Sequence, residues 1–409
     1  MSNILEFDIV IVGGGIAGSA LACALDNSSL KVLVLEGAAP APLIEPCFDS
    51  AQDFDARVSA LTLASQNFLQ DLGVWSAIDK QRLAAFRNMF VFDGEGTGTI
   101  SFAADEVGTK QLGHIVENRV IVSSLQQKLQ FSTNVKLMHQ AKVESLSRSE
   151  QGYRLQLAAS DERSKQITCK LLVGADGANS FVRHQCEFKT REWNYGHHAI
   201  VCTVETSQAH QNTAWQSFTE FGPLALLPLS SNKAEQHFAS IVWSVEPEEA
   251  DRLLALDDKA FSQALSQGIE YKCGEVIEMS KRFSFPLRQR HARNYSKPHV
   301  VLVGDAAHTI HPLAGQGINL GLKDVAVLSE ELLKAVANGN EISDKLLLKR
   351  YERRRKPDNL AMMAIMEGFR RLYGEQSSML LRLLRNRGMD SIDTLKPLKN
   401  KIIQQAMGL

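Results

Sequence analysis

The sequence predicts an α/β protein with a parallel-sheet unit, an antiparallel sheet interleaved with it, and helices toward the C-terminal end. Three observations predict it. A β-branched run, FDIVIV at 7–12, turns through glycines into the small apolar stretch SALACAL at 19–25. Alternating segments at 197–205, 214–229, 238–245 and 278–287 have the period of half-buried antiparallel strands. The stretch LKDVAVLSEELLKAV at 322–336 carries apolar residues at helical spacing and should lean a Leu/Val face on the parallel unit.

In the first element, Gly13, Gly15 and Gly18 fit the pattern G-x-G-x-x-G between strand and helix. One glycine allows the tight turn, one lets backbone approach a pyrophosphate, and one lets the helix pack on the strand. The unpaired N–H groups of the helix N-terminus then face the phosphates. A second strand, LKVLVLE, ends at Glu36, 18 residues beyond Gly18. An acid there accepts hydrogen bonds from an adenosine ribose and disfavours a ribose 2′-phosphate. These features make a Rossmann-like dinucleotide site, and their spacing alone leaves FAD and NAD both open.

Two further strands lead into turns. ITCKLLV is followed by GADGANSFVR at 174–183, which as residues alone reads equally as a strand-to-helix turn capped by Asp or Asn. HVVLVGD closes on Gly304-Asp305, with a helix starting near Gln316-Gly317. His308 and His311 read as H-x-x-H and, with Asp305, could be drawn as three metal ligands. The pair lacks the i, i+4 spacing of a helical metal site and lies in a Pro/Gly loop, so no metal is expected.

Composition narrows the class. With 409 residues, 44% of them hydrophobic and 22% charged, the chain suits a soluble globular protein of two or three domains. Lys plus Arg number 45 against 46 Asp plus Glu, and the net charge of -1 gives no global field for nucleic acid. The six cysteines, at 23, 47, 169, 186, 202 and 273, show no zinc spacing and read as reduced, buried thiols of a cytosolic protein. The N-terminus enters a strand without a signal peptide, and no apolar run reaches the roughly 18 residues of a membrane span.

In this order and at these separations, the three turns resemble those of the FAD-dependent aromatic hydroxylases, the para-hydroxybenzoate hydroxylase-like monooxygenases, across essentially the whole chain. The stretches ARVSAL, LGHIVENRVI, GADGANS, WNYGHHAIV, GDAAHTIHPLAGQGINLG and QQAMGL are similar to the ubiquinone-biosynthesis hydroxylases within them. GHIVEN, YGHHA and QAMGL look most like the 2-polyprenylphenol hydroxylase branch.

The resemblance implies a glutathione-reductase-type, Rossmann-like FAD-binding domain built from residues 1–75, 107–185 and 285–345. It implies a substrate-binding domain with antiparallel sheet at 76–106 and 186–284, and a C-terminal helical segment at 346–409. Gly13, Gly15, Gly18 and Glu36 would hold the ADP moiety, Arg57 would lie near the flavin, and Asp305 would bond the ribityl chain. Gly315, Gln316, Gly317 and Asn319 would lie beneath the isoalloxazine, with His311-Pro312 shaping its edge. Asp176 and Gly177 would stand between the flavin and an approaching NAD(P)H, with Arg183 as a further contact. The sequence departs from a two-nucleotide pattern in showing no second Rossmann fingerprint, which leaves the electron donor open.

The implied reaction hydroxylates a polyprenylated phenol, 2-octaprenylphenol-like, in ubiquinone biosynthesis, using O2 through a C4a-hydroperoxyflavin. Sister enzymes act at other ring positions. The alternative from another class is a flavin-binding assembly protein of the quinone-synthesis complex.

Other stretches carry expectations of their own. His197 and His198 follow WNYG at the head of a strand and point to opposite faces, a substrate contact or, preferably, a structural pair. Pro312 is a further candidate substrate contact. Phe218, Phe221, Leu224, Leu226, Phe238 and Trp243 could line an apolar pocket but read better as core. The run YERRRKP at 351–357 reads as a solvated basic helix face ending at proline. Residues 361–387, with five arginines, and the tail 399–409 suit either packing on their own domain or contact with lipid or a partner. A polyprenyl substrate, known here only through the resemblance, favours peripheral contact with the inner face of the membrane by a cytoplasmic protein.

Overall fold

The computed structural model describes residues 4–40, 50–80, 82–94, 96–158, 166–231, 236–309 and 317–373, and residues 397, 399–401, 404 and 407 of the tail. The chain opens with β1 (Leu5–Val12), α1 (Ile16–Ala24) and β2 (Val32–Leu35). Next come β3 (Val58–Thr62), α2 (Leu63–Asp71), α3 (Trp75–Asp79), β4 (Leu83–Phe86), β5 (Asn88–Asp93) and β6 (Thr99–Ala103). β7 (Gly113–Glu117), α4 (Asn118–Leu129) and β8 (Val135–Met138) precede the meander β9 (Val143–Ser149), β10 (Gly152–Leu157) and β11 (Gln166–Gly174). After α5 (Phe181–Gln185), the long β12 (Thr190–Thr206) leads to β13 (Thr213–Thr219), β14 (Gly222–Pro228) and β15 (Phe238–Val245). Then follow α6 (Pro247–Ala255), α7 (Asp258–Gly268), β16 (Val276–Met279) and β17 (Phe283–Ala292). β18 (Ser296–Lys297), β19 (Val300–Leu302), β20 (His308–Thr309), α8 (Gly317–Ala337) and α9 (Lys345–Tyr373) complete the described elements.

The first sheet runs β18-β19-β11-β1-β2-β8, and β1 pairs in parallel with both β2 and β11. Its strands are near-continuous apolar runs because both faces are covered. Ile9, Val10, Ile11, Leu33, Val34, Leu171 and Leu172 are fully buried, and α1 packs between α4 and α8 over them.

The second sheet runs β20-β17-β12-β15-β14-β13-β5-β6, with β16 beside β12. Its pairings are antiparallel except for β13 with β5. The predicted segment 214–229 is a hairpin of two strands, turned between Thr219 and Gly222. Trp243, Leu224 and Leu226 on the sheet pack with Phe261 and Leu265 of α7, so the core reading of those apolar residues holds. A third sheet, β3-β7-β4, meets the antiparallel sheet in a small cluster that includes Phe54, Ile115 and Phe238, while its Leu61 and Val116 belong to the core of the first sheet.

The structure departs from the sequence reading in two places. The strand β17 stays with the antiparallel sheet past residue 285, pairing with β12 as far as Ala292, and the chain returns to the first sheet only at β18. The basic run at 351–357 does not end a helix and is only partly solvated, with Arg353, Arg354 and Pro357 exposed. Helix α9 passes through Pro357 to Tyr373, and Tyr351, Glu352 and Arg355 are buried. A proline inside a helix forfeits one backbone bond, and here the packing of this turn on β18, β19 and α8 offsets it.

In the tail, Met407 is buried against Ala104 and Leu112, its carbonyl accepts from the Ala64 amide (3.3 Å), and Lys399 pairs with Glu106 (2.7 Å). These residues dock on their own chain. Cys23, Cys169, Cys186, Cys202 and Cys273 are buried free thiols, while Cys47 lies outside the described residues. Among the described residues no helix is long and apolar enough to cross a membrane.

Candidate cofactor and active site

Three strand ends of the first sheet meet at one edge. At the end of β1, Gly13 has φ +106°, and a Cβ there would stand 2.4 Å from the carbonyl oxygen of Ala175. The first turn therefore presses directly on the second, which follows β11. At Gly18 a Cβ would fall 1.9 Å from the Gly13 carbonyl oxygen, whereas nothing lies within 4 Å of one at Gly15. The open side of this turn is thus at Gly15, the N-cap of α1, where no side chain caps the helix. A 9-residue helix with exposed N–H groups over a glycine that leaves space is suited to a diphosphate.

Glu36 closes the turn from β2. Its Oε2 accepts the Gly14 amide (2.7 Å) and its Oε1 the Ala38 amide (2.8 Å). Gln126 of α4 donates to the Gly14 carbonyl (2.8 Å) and fixes it from the other side.

In the second turn, Ser180 caps α5 and Asp176 backs the cap: one oxygen of Asp176 accepts from the Ser180 hydroxyl and the other from the Val182 amide (3.0 Å). Gly177 has φ +77°, a left-handed conformation that favours glycine. Arg183 is buried, and burial lowers its pKa. Its guanidinium donates to the carbonyls of Ala178 (2.6 Å) and Ala306 (3.0 Å), tying the second turn to the third. The sequence reading expects Arg183 to contact an approaching donor; here its guanidinium is instead taken up by backbone carbonyls.

The third turn follows β19. Gly304 has φ +58° and packs on α1, a Cβ there meeting that of Ala17 at 3.3 Å. Asp305 presents its side chain at an accessible surface while protein surrounds it closely, and among the described residues no donor reaches its carboxylate. That surrounding protein raises its pKa, His308 and Arg57 pull it down, and Asp324 raises it further. Arg57 is exposed, with its guanidinium 5.9 Å from the Phe285 ring centroid, and so it bridges from β3 to the antiparallel sheet. The glycines, the uncapped helix and an acid beside Arg57 that no donor among the described residues reaches fit a dinucleotide with a polyhydroxy chain.

Pro312, His311, Gly315 and Gln316 lie outside the described residues. Gly317 starts α8. Asn319 is 2% exposed, and its amide works on protein: it donates to the Ala60 carbonyl (2.8 Å) and accepts from the Thr62 amide (3.0 Å) and Ser65 hydroxyl (2.7 Å). It fixes the start of α8 against β3 and α2. His197 and His198 are half-buried on β12, and each Nδ1 lies near a serine of a different flanking strand, Ser244 on β15 (3.3 Å) and Ser284 on β17 (3.2 Å). No three His, Cys, Asp or Glu side chains among the described residues form a metal site.

Sequence reasoning missed two buried ionic centres. Asp324 is fully buried and sits 2.8 Å from Arg355 and 2.5 Å from His308. Burial would raise its pKa, but His308 and Arg355 overcome this and hold it below the usual carboxylate range. The signal was available, since Asp324 shares a buried helix face with Leu320 and Leu328. Glu117 is held by Arg82 (2.8 Å) and Arg119 (2.9 Å), and it accepts the Asp55 amide (2.5 Å), steadying the segment that carries Arg57. Burial pushes Arg82 down to about 10.

The chain is similar to known proteins over nearly its whole length. The family model described as FAD binding domain matches residues 6–365. The chain is 36% identical to the 3-demethoxyubiquinol 3-hydroxylase of Escherichia coli K12, covering 98% of each chain. It is 34% identical to the ubiquinone biosynthesis monooxygenase COQ6 of Xenopus tropicalis, over 97% of this chain and 92% of that one. It is also 34% identical to the ubiquinone hydroxylase UbiL of Rhodospirillum rubrum, over 98% and 89%. In fold, it is similar to p-nitrophenol 4-monooxygenase PnpA of Pseudomonas putida DLL-E4, with TM-score 0.78, 17% identity and 99% of each chain covered. PqsL of Pseudomonas aeruginosa gives TM-score 0.73 at 19% identity, over 94% of this chain and 100% of that one.

Proposed function

The chain belongs to the FAD-dependent ubiquinone-biosynthesis hydroxylases, and from that membership we propose that its substrate is a polyprenylated phenol of the 2-octaprenylphenol type. The proposed site of hydroxylation is the carbon ortho to the hydroxyl and meta to the prenyl group. Whole-length identity to several quinone-pathway hydroxylases is the observation that carries this reading. The E. coli relative, named for a demethoxyubiquinol, favours the second reading, a sister reaction at another ring position.

Bound FAD, reduced by NAD(P)H, supplies the redox chemistry that places one atom of O2 on the ring and releases the other as water. In the proposed assignment, Gly13, Gly15, Gly18 and the N-terminus of α1 hold the diphosphate, Glu36 the adenosine ribose and Asp305 the ribityl chain. Arg57, Asp176, Gly315, Gln316, Gly317 and Asn319 complete the flavin site, with the N-terminus of α8 offering its partial positive charge to the ring. The antiparallel sheet forms the substrate side and excludes water, with His197, His198 and Pro312 as candidate substrate contacts. Because the proposed substrate carries a prenyl chain, peripheral membrane contact and membership of a quinone-synthesis complex belong to the same proposal.

Deleting the gene and identifying the accumulated quinone precursor by mass spectrometry tests it. A 2-polyprenylphenol is the expected precursor; a demethoxyquinol precursor supports the sister reaction, and an unchanged quinone pool overturns the assignment.

A further inference from the structure

We infer that Asp324 is a positioning residue for Asp305, acting through the two residues that bracket it in the third turn. This rests on the reading of Asp305 as a cofactor ligand. A single oxygen of Asp324, Oδ2, accepts both from the Gly304 amide (3.1 Å) and from His308 Nε2 (2.5 Å). It thereby grips the turn on either side of Asp305. Asp305 gains from such help, because the direction in which its carboxylate points depends on the backbone that carries it. That backbone includes Gly304 at φ +58°, which glycine adopts freely among several conformations, so that its surroundings select it.

The grip is itself anchored. Asp324 Oδ1 accepts from Arg355 Nε (2.8 Å) and Asn359 Nδ2 (3.2 Å), and Asn359 also donates to the Tyr295 hydroxyl (3.1 Å). Asp324, Arg355, Asn359 and His308 are all within 2% of full burial. Well-packed apolar residues would hold α8 against α9 at no loss of stability. An apolar side chain could not, however, accept from Gly304 and His308 together. The buried charge is therefore explained by what it holds, and α9 is coupled through Arg355 to the orientation of Asp305.

The test uses the full-length protein stripped of flavin and titrated separately with FAD and with ADP, which needs only the first turn. Asp324→Asn and His308→Gln are expected to weaken FAD about tenfold or more while leaving ADP within about twofold. Asp305→Ala combined with Asp324→Asn should bind FAD no more weakly than Asp305→Ala alone, because both changes act on one interaction. Equal loss of FAD and ADP, or additive losses in the double variant, would make Asp324 merely structural and overturn the inference. Should Asp324→Asn not fold, His308→Gln keeps the Asp324–Arg355 pair and carries the same two titrations. Unchanged FAD affinity in Asp305→Ala overturns the cofactor reading together with the inference, whereas a weakened Asp305→Ala beside an unchanged Asp324→Asn overturns the inference alone.

Discussion

A Cβ on Gly18 would stand 1.9 Å from the carbonyl oxygen of Gly13, so the helix α1 rests on the strand end with no room for a side chain. The two glycines are parts of one contact. Gly15 lies between them in open space and at φ -69°, which any residue adopts.

This contrast predicts different outcomes for two similar substitutions. Gly18→Ala should destabilise the flavin-free protein by about 1–3 kcal/mol, the usual cost of overpacking. Gly15→Ala should leave its thermal midpoint almost unchanged, within about 0.5 kcal/mol, yet sharply lower the flavin-to-protein absorbance ratio of the purified protein. Equal behaviour of the two in both measurements would contradict the division of roles.

Asp305→Ala should purify largely without flavin. A charge-assisted hydrogen bond to the ribityl chain contributes on the order of 1.5–3 kcal/mol, or roughly ten- to a hundredfold in affinity. Fluorescence titration of the stripped protein reads this directly, and full occupancy would remove Asp305 from the site.

Within the run Arg353-Arg354-Arg355, only Arg355 is buried. Arg355→Met should cost about 3–5 kcal/mol by leaving Asp324 as an uncompensated buried charge, whereas Arg353→Met should stay within about 0.5 kcal/mol. Denaturant midpoints of the two variants check the prediction.

Stability should also fall as the solution becomes acidic. Burial pushes the imidazoles of His114 and His291 down to about 4, while in the unfolded chain they titrate near about 6.5. Between these values the unfolded state binds the extra protons, so stability is lost as pH drops from about 6.5 toward 4. The thermal midpoint should decline across that window, and His291→Gln should flatten the decline; a slope that rises toward acid would reverse the sign.

Much of this was legible in the sequence because it is local. The strand–glycine–helix order around Gly13, the Gly304-Asp305 turn and the alternation along 197–245 each follow from a few adjacent residues, and the structure puts the three turns together. Partnerships across the chain were not legible. Arg355 reads as one of three basic residues until α9 folds back on α8 and buries it against Asp324, 31 positions away. Arg183 likewise reads as a free cation near a nucleotide, but the Ala306 carbonyl that holds it lies 123 residues on. Asn319 lies in the first turn of α8, and its side chain is taken up by Thr62 and Ser65, which no local pattern reveals. The strand β17 runs past 285 because its pairing with β12, and not its own composition, decides where it ends.

In the proposed reading, the three converging turns hold an FAD that hydroxylates a prenylated phenol. The most direct test of that reading incubates the purified flavin-loaded protein with a 2-polyprenylphenol, NAD(P)H and isotopically heavy O2, then weighs the product. A product heavier by one hydroxyl oxygen derived from O2 is expected, with Asp305→Ala forming almost none. Consumption of NAD(P)H that yields only hydrogen peroxide, or a product oxygen derived from water, would contradict it.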